Sequence, residues 1–214
     1  MRKFYLEVKN LKIYYFMPVT IVFGLVPLIV IAEIVVNGGI DVRSLAKMYE
    51  ACQIYIPWFA VCWPVFIMKE YLNSPGKELL FVYRFGYDNL VNRMLILWGW
   101  YSVHIMIMSI LMAFLFHEVI LFFLFICAQS LLMIAAAYLM AMLSRNTFIP
   151  MIVTFGYCLV FWMIIRVPQF SMFVYDPKPF NSAFIHKALW LILIAALLFG
   201  FGYLLEKRLF KMKI

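Results

Sequence analysis

Long apolar runs follow one another along this chain almost without pause, separated by brief polar clusters. They lie near 16–36, 52–68, 94–116, 119–143, 148–165 and 188–205. About 20 apolar residues, at 1.5 Å of rise each, carry a helix across the hydrocarbon core of a bilayer. The pattern therefore predicts six transmembrane helices. The second, fifth and sixth runs are short and would borrow Tyr, Trp and Phe side chains at the interface. Pro57 and Pro64 fall inside the second run. Lipid tolerates such breaks where neighbouring helices satisfy the freed carbonyls.

The basic residues orient these spans. With the N-terminus inside, the inner segments hold Arg2, Lys3, Lys9, Lys12, Lys69, Lys77, Arg84, Arg93, Arg145, Lys207, Arg208, Lys211 and Lys213. The outer segments hold Arg43, Lys47, Arg166, Lys178 and Lys187. Lys and Arg concentrate on the cytoplasmic side of membrane proteins, so both termini are expected in the cytoplasm. The links at His117–Glu118 and Ser144–Thr147 are too short to hold anything but a tight turn. One sizeable stretch faces each side: 69–93 inside and 166–187 outside.

Composition agrees. Of 214 residues, 67% are hydrophobic and 13% charged, against roughly half and a quarter in a soluble domain. Lipid is the solvent that accepts this surface, and the fold class expected is an all-α integral membrane protein forming a single domain over 1–214. The net charge of +8 sits at the ends of apolar runs, where it sets topology and meets headgroups. No basic face with stacking aromatics can be drawn, so nucleic acid is not an expected partner. Cys52, Cys62, Cys127 and Cys158 form no CxxC pair and imply neither a disulfide framework nor a metal site. The first apolar run is too long for a signal peptide.

Three segments outside the spans attract attention. In 1–15, Phe4, Val8, Leu11 and Tyr15 fall within about 60° on a helical wheel, with Lys3, Lys9 and Asn10 turned away. Such a helix lies flat in the cytoplasmic interface; the alternative is a plain basic flank. In the inner stretch, Ser74–Pro75–Gly76 breaks the chain and Lys77–Phe85 reads as a short helix ended by Gly86, with Asp88 or Asn89 as the next cap. Its Leu79, Leu80, Phe81 and Tyr83 suit a partner groove or a resting place on lipid. The outer stretch contains Pro168, Pro177 and Pro179 around an apolar core, Gln169–Tyr175. It reads either as a re-entrant pair of half-helices or as an ordinary loop.

Polar groups within spans are functional candidates by default. His104 lies about 15 Å of helix rise beyond Arg93, near mid-membrane, and Gln129 lies near the middle of the fourth span. The two residues can face each other across the hairpin, as a simple interhelical hydrogen bond or as contacts for a passing substrate. Glu33 sits close to the outer end of the first span, where it reaches water, so His104 is the one ionisable group deep in the spans and the acidic residues that ion or proton coupling uses are missing there. No catalytic site is expected. Ser102, Ser109 and Ser130 lack the GxSG context of an intramembrane serine protease, HExxH is absent, and Pro75–Gly76–Lys77 is not a P-loop because Tyr71 and Glu78 stand where Gly and Ser or Thr are needed.

The layout resembles the permease subunit of an ABC-2-type (type V exporter-like) ABC transporter. The resemblance rests on the flat N-terminal helix, the run Glu78–Leu79–Leu80–Phe81 with Asn92–Arg93 beyond it, Leu143–Ser144–Arg145–Asn146–Thr147 after the fourth span, and the Pro-containing stretch before the sixth. It implies a plasma-membrane exporter of a hydrophobic or amphipathic substrate: a drug, an antimicrobial peptide or a lipid-linked molecule. Two permease subunits, identical or related, would form the path. Separate cytoplasmic ABC ATPase subunits would carry ATP and Mg, with no cofactor in this chain. Lys77, Glu78, Leu79, Leu80, Phe81, Tyr83 and Arg84 would form the coupling helix seated in the ATPase. The competing expectation is an accessory six-span protein packed in a larger complex without a path of its own.

Overall fold

The computed structural model describes residues 9, 11–40, 42–73, 90–115, 120–164, 172–174 and 182–211. Among these residues every regular element is helical: α1 (Lys12–Asn37), α2 (Val42–Ala60), α3 (Cys62–Asn73), α4 (Leu90–Ala113), α5 (Ile120–Ser144), α6 (Phe148–Leu159) and α7 (Ser182–Lys211). Five helices among them, counting α2 and α3 as one, are long and apolar enough to cross a membrane, and Phe148–Trp162 is a shorter apolar helix. The chain is thus an all-helical protein with the character of a multi-pass membrane protein.

α1 is not uniform. It opens with a 3-10 turn, Lys12–Tyr15, and contains a π turn at Ile21–Leu25. The π turn precedes Pro27, whose ring would strike the carbonyl four residues back in a regular helix; widening the turn relieves that clash. At Lys12 the backbone enters the left-handed region, with φ 48°. A non-glycine residue there marks an abrupt change of direction. The expected flat helix over 1–15 therefore does not run on through Tyr15, which belongs to α1; residues 1–8 and 10, where the rest of it would fall, lie outside the described residues.

α1 ends in a Schellman motif. Gly38, at φ 74°, gives its N–H to the Val35 carbonyl and Gly39 gives its N–H to Ile34. The turn brings the chain straight into α2, ten residues before the expected start of the second span at 52. Hydropathy missed these nearly three turns because Arg43, Ser44, Lys47 and Glu50 dilute it. Burial of Met48, Tyr49 and Cys52 against neighbouring helices holds it. Between α2 and α3 the helix breaks at Val61, whose N–H bonds Trp58 O at 3.2 Å, so Pro57 and Pro64 cost a local irregularity rather than the span. α4 likewise begins at Leu90, before the expected 94, and α7 extends beyond 188–205 at both ends.

α5 is the centre of the bundle, touching α2, α3, α4, α6 and α7. Lipid gives helices no hydrophobic reason to associate, so close packing between small residues must do so. Ala128, Ala135, Ala137 and Ala141 are buried on α5, and α7 lies along it more extensively than any other helix. At Gly202 the approach is so close that a Cβ would overlap the Tyr138 ring. The opposite side of α7 presents Leu189, Trp190, Leu193, Leu197, Phe201 and Leu204 outward. On α1, Val22, Val26 and Val30 are fully buried at four-residue spacing, whereas Leu28, Ile31 and Val35 face out. Outward apolar stripes of this length are lipid-facing surface.

α5 passes to α6 through Ser144–Thr147. Arg145 adopts φ 52°, Ser144 Oγ accepts the Asn146 N–H at 3.3 Å, and Asn146 Oδ1 accepts the Phe148 N–H at 2.8 Å. The side chain of Asn146 thereby caps α6 in place of a preceding turn. Beyond Leu159 the chain continues as a π turn, Val160–Ile164.

Candidate functional site

The most unusual part of the molecule is three non-helical residues, Met172–Phe173–Val174, inserted among helices. Met172 and Phe173 are essentially fully buried. They meet Gln53, 11 residues into α2, and Gln129, nine residues into α5, so the segment lies about 13–16 Å along both helices from their N-termini. Backbone without a helix at such depth must find partners from side chains.

It finds them on four helices. Tyr157 Oη on α6 accepts the Met172 N–H at 3.0 Å, and Gln129 Nε2 donates to Met172 O at 2.7 Å. Lys187 Nζ on α7 donates to Phe173 O. Gln53 pairs with both polar atoms of Val174: its Oε1 accepts the N–H at 2.7 Å and its Nε2 donates to the carbonyl at 3.1 Å. Gln129 Nε2 also reaches Gln53 Oε1 at 3.4 Å. The N–H and C=O of one residue point the same way only in extended chain, so the bonding defines an extended segment. Met172 and Val174 turn to the two glutamines and Phe173 turns its carbonyl to Lys187, the period of two of a strand. Phe173 packs beneath Trp162, edge to face at 5.3 Å, and Trp162 Nε1 donates to Glu50 Oε1 at 2.9 Å.

The apolar middle of the expected re-entrant stretch therefore does enter the bundle, at 172–174; the rest of 166–187 up to Ser182 lies outside the described residues. Lys187, which reads in sequence as a charge on an outer flank, turns inward to bond the segment.

His104 and Gln129 do not face each other. Gln129 belongs to the clamp just described. His104 sits in an aromatic knot with Tyr15, Phe23, Trp63 and Trp100, ring centroids 5.0–6.2 Å away. Its Nδ1 lies 2.9 Å from Trp100 O, which can only accept, so Nδ1 carries the proton. Nε2 then accepts from the Tyr15 hydroxyl at 3.2 Å, and that hydroxyl accepts from Trp100 Nε1 at 3.2 Å. Trp63 Nε1 bonds Tyr15 O, also at 3.2 Å. Both imidazole nitrogens are occupied: Nδ1 holds the ring to its own helix α4 and Nε2 fastens the start of α1 to it, while Trp63 ties the same turn to α3, so His104 acts as a fastening group. Sequence spacing misses the partnership because Tyr15 is 89 residues away and reads as part of an interfacial helix.

The interior also holds a carboxylate that hydropathy places outside. Glu206 is buried near the end of α7 and accepts a hydrogen bond from the Tyr138 hydroxyl on α5; it also interacts with the backbone N–H of Leu90, the first residue of α4. A negative group there complements the helix N-terminus. One turn on, Arg93 is buried with its guanidinium 5.4 Å from the Tyr71 ring. Besides His104, the buried ionisable groups thus include Glu206, held between α4, α5 and α7, and Arg93, against Tyr71 of α3, each just beyond the expected span boundaries.

Lys77, Glu78, Leu79, Leu80, Phe81, Tyr83 and Arg84 lie outside the described residues. The helices on either side of that segment meet through Tyr71 and Arg93. Among the described residues no group of three or more His, Cys, Asp or Glu side chains could hold a metal ion.

A scan of family models, a search of curated proteins and a search of solved structures each return no match to this chain.

Proposed function

We propose that this chain is the membrane-spanning subunit of an ATP-driven ABC transporter of the ABC-2 type, exporting a hydrophobic or amphipathic substrate across the plasma membrane. The observation that supports this most is the extended segment 172–174, seated deep between four helices just before the last one, where a re-entrant element of an exporter is expected. Six spans with both ends in the cytoplasm suit the same reading. α6 with its π turn, Phe148–Ile164, has 17 residues and so reaches about 25 Å, the lower limit for crossing. Energy would enter at the segment 77–85. The flanking helices α3 and α4 meet at the Tyr71–Arg93 contact, so a push from a docked ATPase would be delivered to both. Partners in this reading are two cytoplasmic ATPase subunits and a second permease subunit.

Two experiments test it. Replacing Leu80 or Phe81 with Asp is expected to abolish pull-down of a co-expressed ATPase while membrane insertion stays intact; undiminished pull-down would leave an accessory protein as the better reading. Orientation is tested by cysteine labelling with an impermeant maleimide. The four native cysteines are buried and give little background. Ile40→Cys, exposed in the α1–α2 turn, is expected to label from outside and Gly76→Cys from inside. The reverse pattern would overturn the topology. Phe173, an apparent outer reporter from the sequence, is unsuitable because it is fully buried.

A further inference from the structure

The groups that hold 172–174 recognise backbone rather than side chains. Gln53 presents one donor and one acceptor to a single residue, the pairing that two strands of an antiparallel sheet exchange. Gln129 and Tyr157 repeat it two residues earlier, and Lys187 takes the carbonyl between them. None of these bonds depends on which side chains the bound segment carries.

These groups also constrain what happens when the segment leaves. Gln53 and Gln129 are buried, at 1% and 0% exposure. Emptying the clamp leaves these amides only the longer bonds to Tyr49 O and to each other, at 3.3 and 3.4 Å, and so under-satisfied away from water, which is costly. An apolar small molecule filling the space cannot repay that cost, since it has no donors or acceptors. A second extended peptide repays it in full. The clamp has unused capacity too: Gln129 Oε1 is buried without a hydrogen-bond partner among the described residues, so a bound backbone shifted slightly in register gains an acceptor that the resident segment leaves idle.

We propose that the Gln53–Gln129–Tyr157–Lys187 clamp is a binding site for an extended apolar peptide, and that 172–174 occupies it in place of that ligand. This deepens the exporter reading and rests on it: the cargo class becomes peptides able to lie extended, with apolar side chains at three successive positions to match Met172, Phe173 and Val174. Strand addition of this kind draws affinity from main-chain bonds and tolerates varied side chains.

The test uses the full chain in lipid nanodiscs and a synthetic peptide copying Phe170–Asp176. Val174→Cys changes only a side chain, so both bonds from Gln53 to the backbone persist, and the cysteine reports release of the segment through its reaction with an impermeant maleimide. The peptide is expected to raise the labelling rate about tenfold as the resident segment is displaced. A peptide N-methylated at the position matching Val174 lacks the N–H that Gln53 accepts and is expected to leave the rate unchanged. Equal acceleration by both peptides, or by neither, overturns the proposal. Deuterium exchange at 172–174 in the unmodified chain provides the same comparison without any substitution. No ATPase takes part, so a negative result here leaves the ATPase pull-down to be judged on its own.

Discussion

Gln53→Leu is expected to destabilise the bundle by about 2–5 kcal/mol, because it leaves the N–H and the carbonyl of Val174 without partners in an apolar interior. Leu has nearly the volume of Gln, so the loss is of hydrogen bonds and not of packing. For a chain of this size the apparent melting temperature, followed by tryptophan fluorescence in detergent, should fall on the order of 10 °C. Gln53→Glu keeps the acceptor for the Val174 N–H and loses the donor to its carbonyl, so a smaller fall is expected. A melting temperature unchanged in Gln53→Leu would mean that water already satisfies this segment and that the clamp carries no energy.

The second large effect is expected at the other end of α5. Tyr138→Phe removes the hydroxyl that bonds Glu206 and leaves a buried carboxylate with one protein donor fewer. A hydrogen bond to a charged group is worth about 1.5–3 kcal/mol. Glu206→Met removes the acceptor at similar volume and leaves the Tyr138 hydroxyl without its carboxylate. Combined in a double-mutant cycle, the pair should show a coupling of about 1.5–3 kcal/mol in thermal unfolding. Coupling near zero would show that the two groups merely adjoin. Gly202 sharpens the comparison, because it lets α7 come close enough for the bond to form; any side chain there would push the Tyr138 ring off Glu206.

The two sites have a common logic. Each takes backbone or charge that lipid would reject and satisfies it with side chains from helices far apart in sequence. At the clamp, Gln53 and Val174 are 121 residues apart. At the far end, Tyr138 and Glu206 are 68 residues apart. Between them the aromatic knot around His104 fastens the start of α1, where Lys12 turns the chain. The clamp and the Tyr138–Glu206 pair are both anchored on α5, the helix that touches α2, α3, α4, α6 and α7.

Much of this molecule was legible in its sequence. Apolar runs of bilayer length are a sufficient cause of long helices wherever water is absent, and the structure has them at five of the six expected places, with a shorter helix at Phe148–Trp162. The short polar link at Ser144–Thr147 located its turn because those residues act locally. Helix ends were less legible. The first turns of α2 and the last turns of α7 carry Arg43, Lys47, Glu50 and Glu206, and hydropathy counts such groups as water-facing whether or not another helix covers them. Partnership was not legible at all. That Gln129 serves Met172 and Gln53 instead of His104, and that Lys187 turns inward, follows from which faces meet when α2, α5, α6 and α7 pack. Hydrophobicity belongs to each residue and can be summed along a chain, whereas a hydrogen bond belongs to a pair, and only tertiary structure decides which pairs exist.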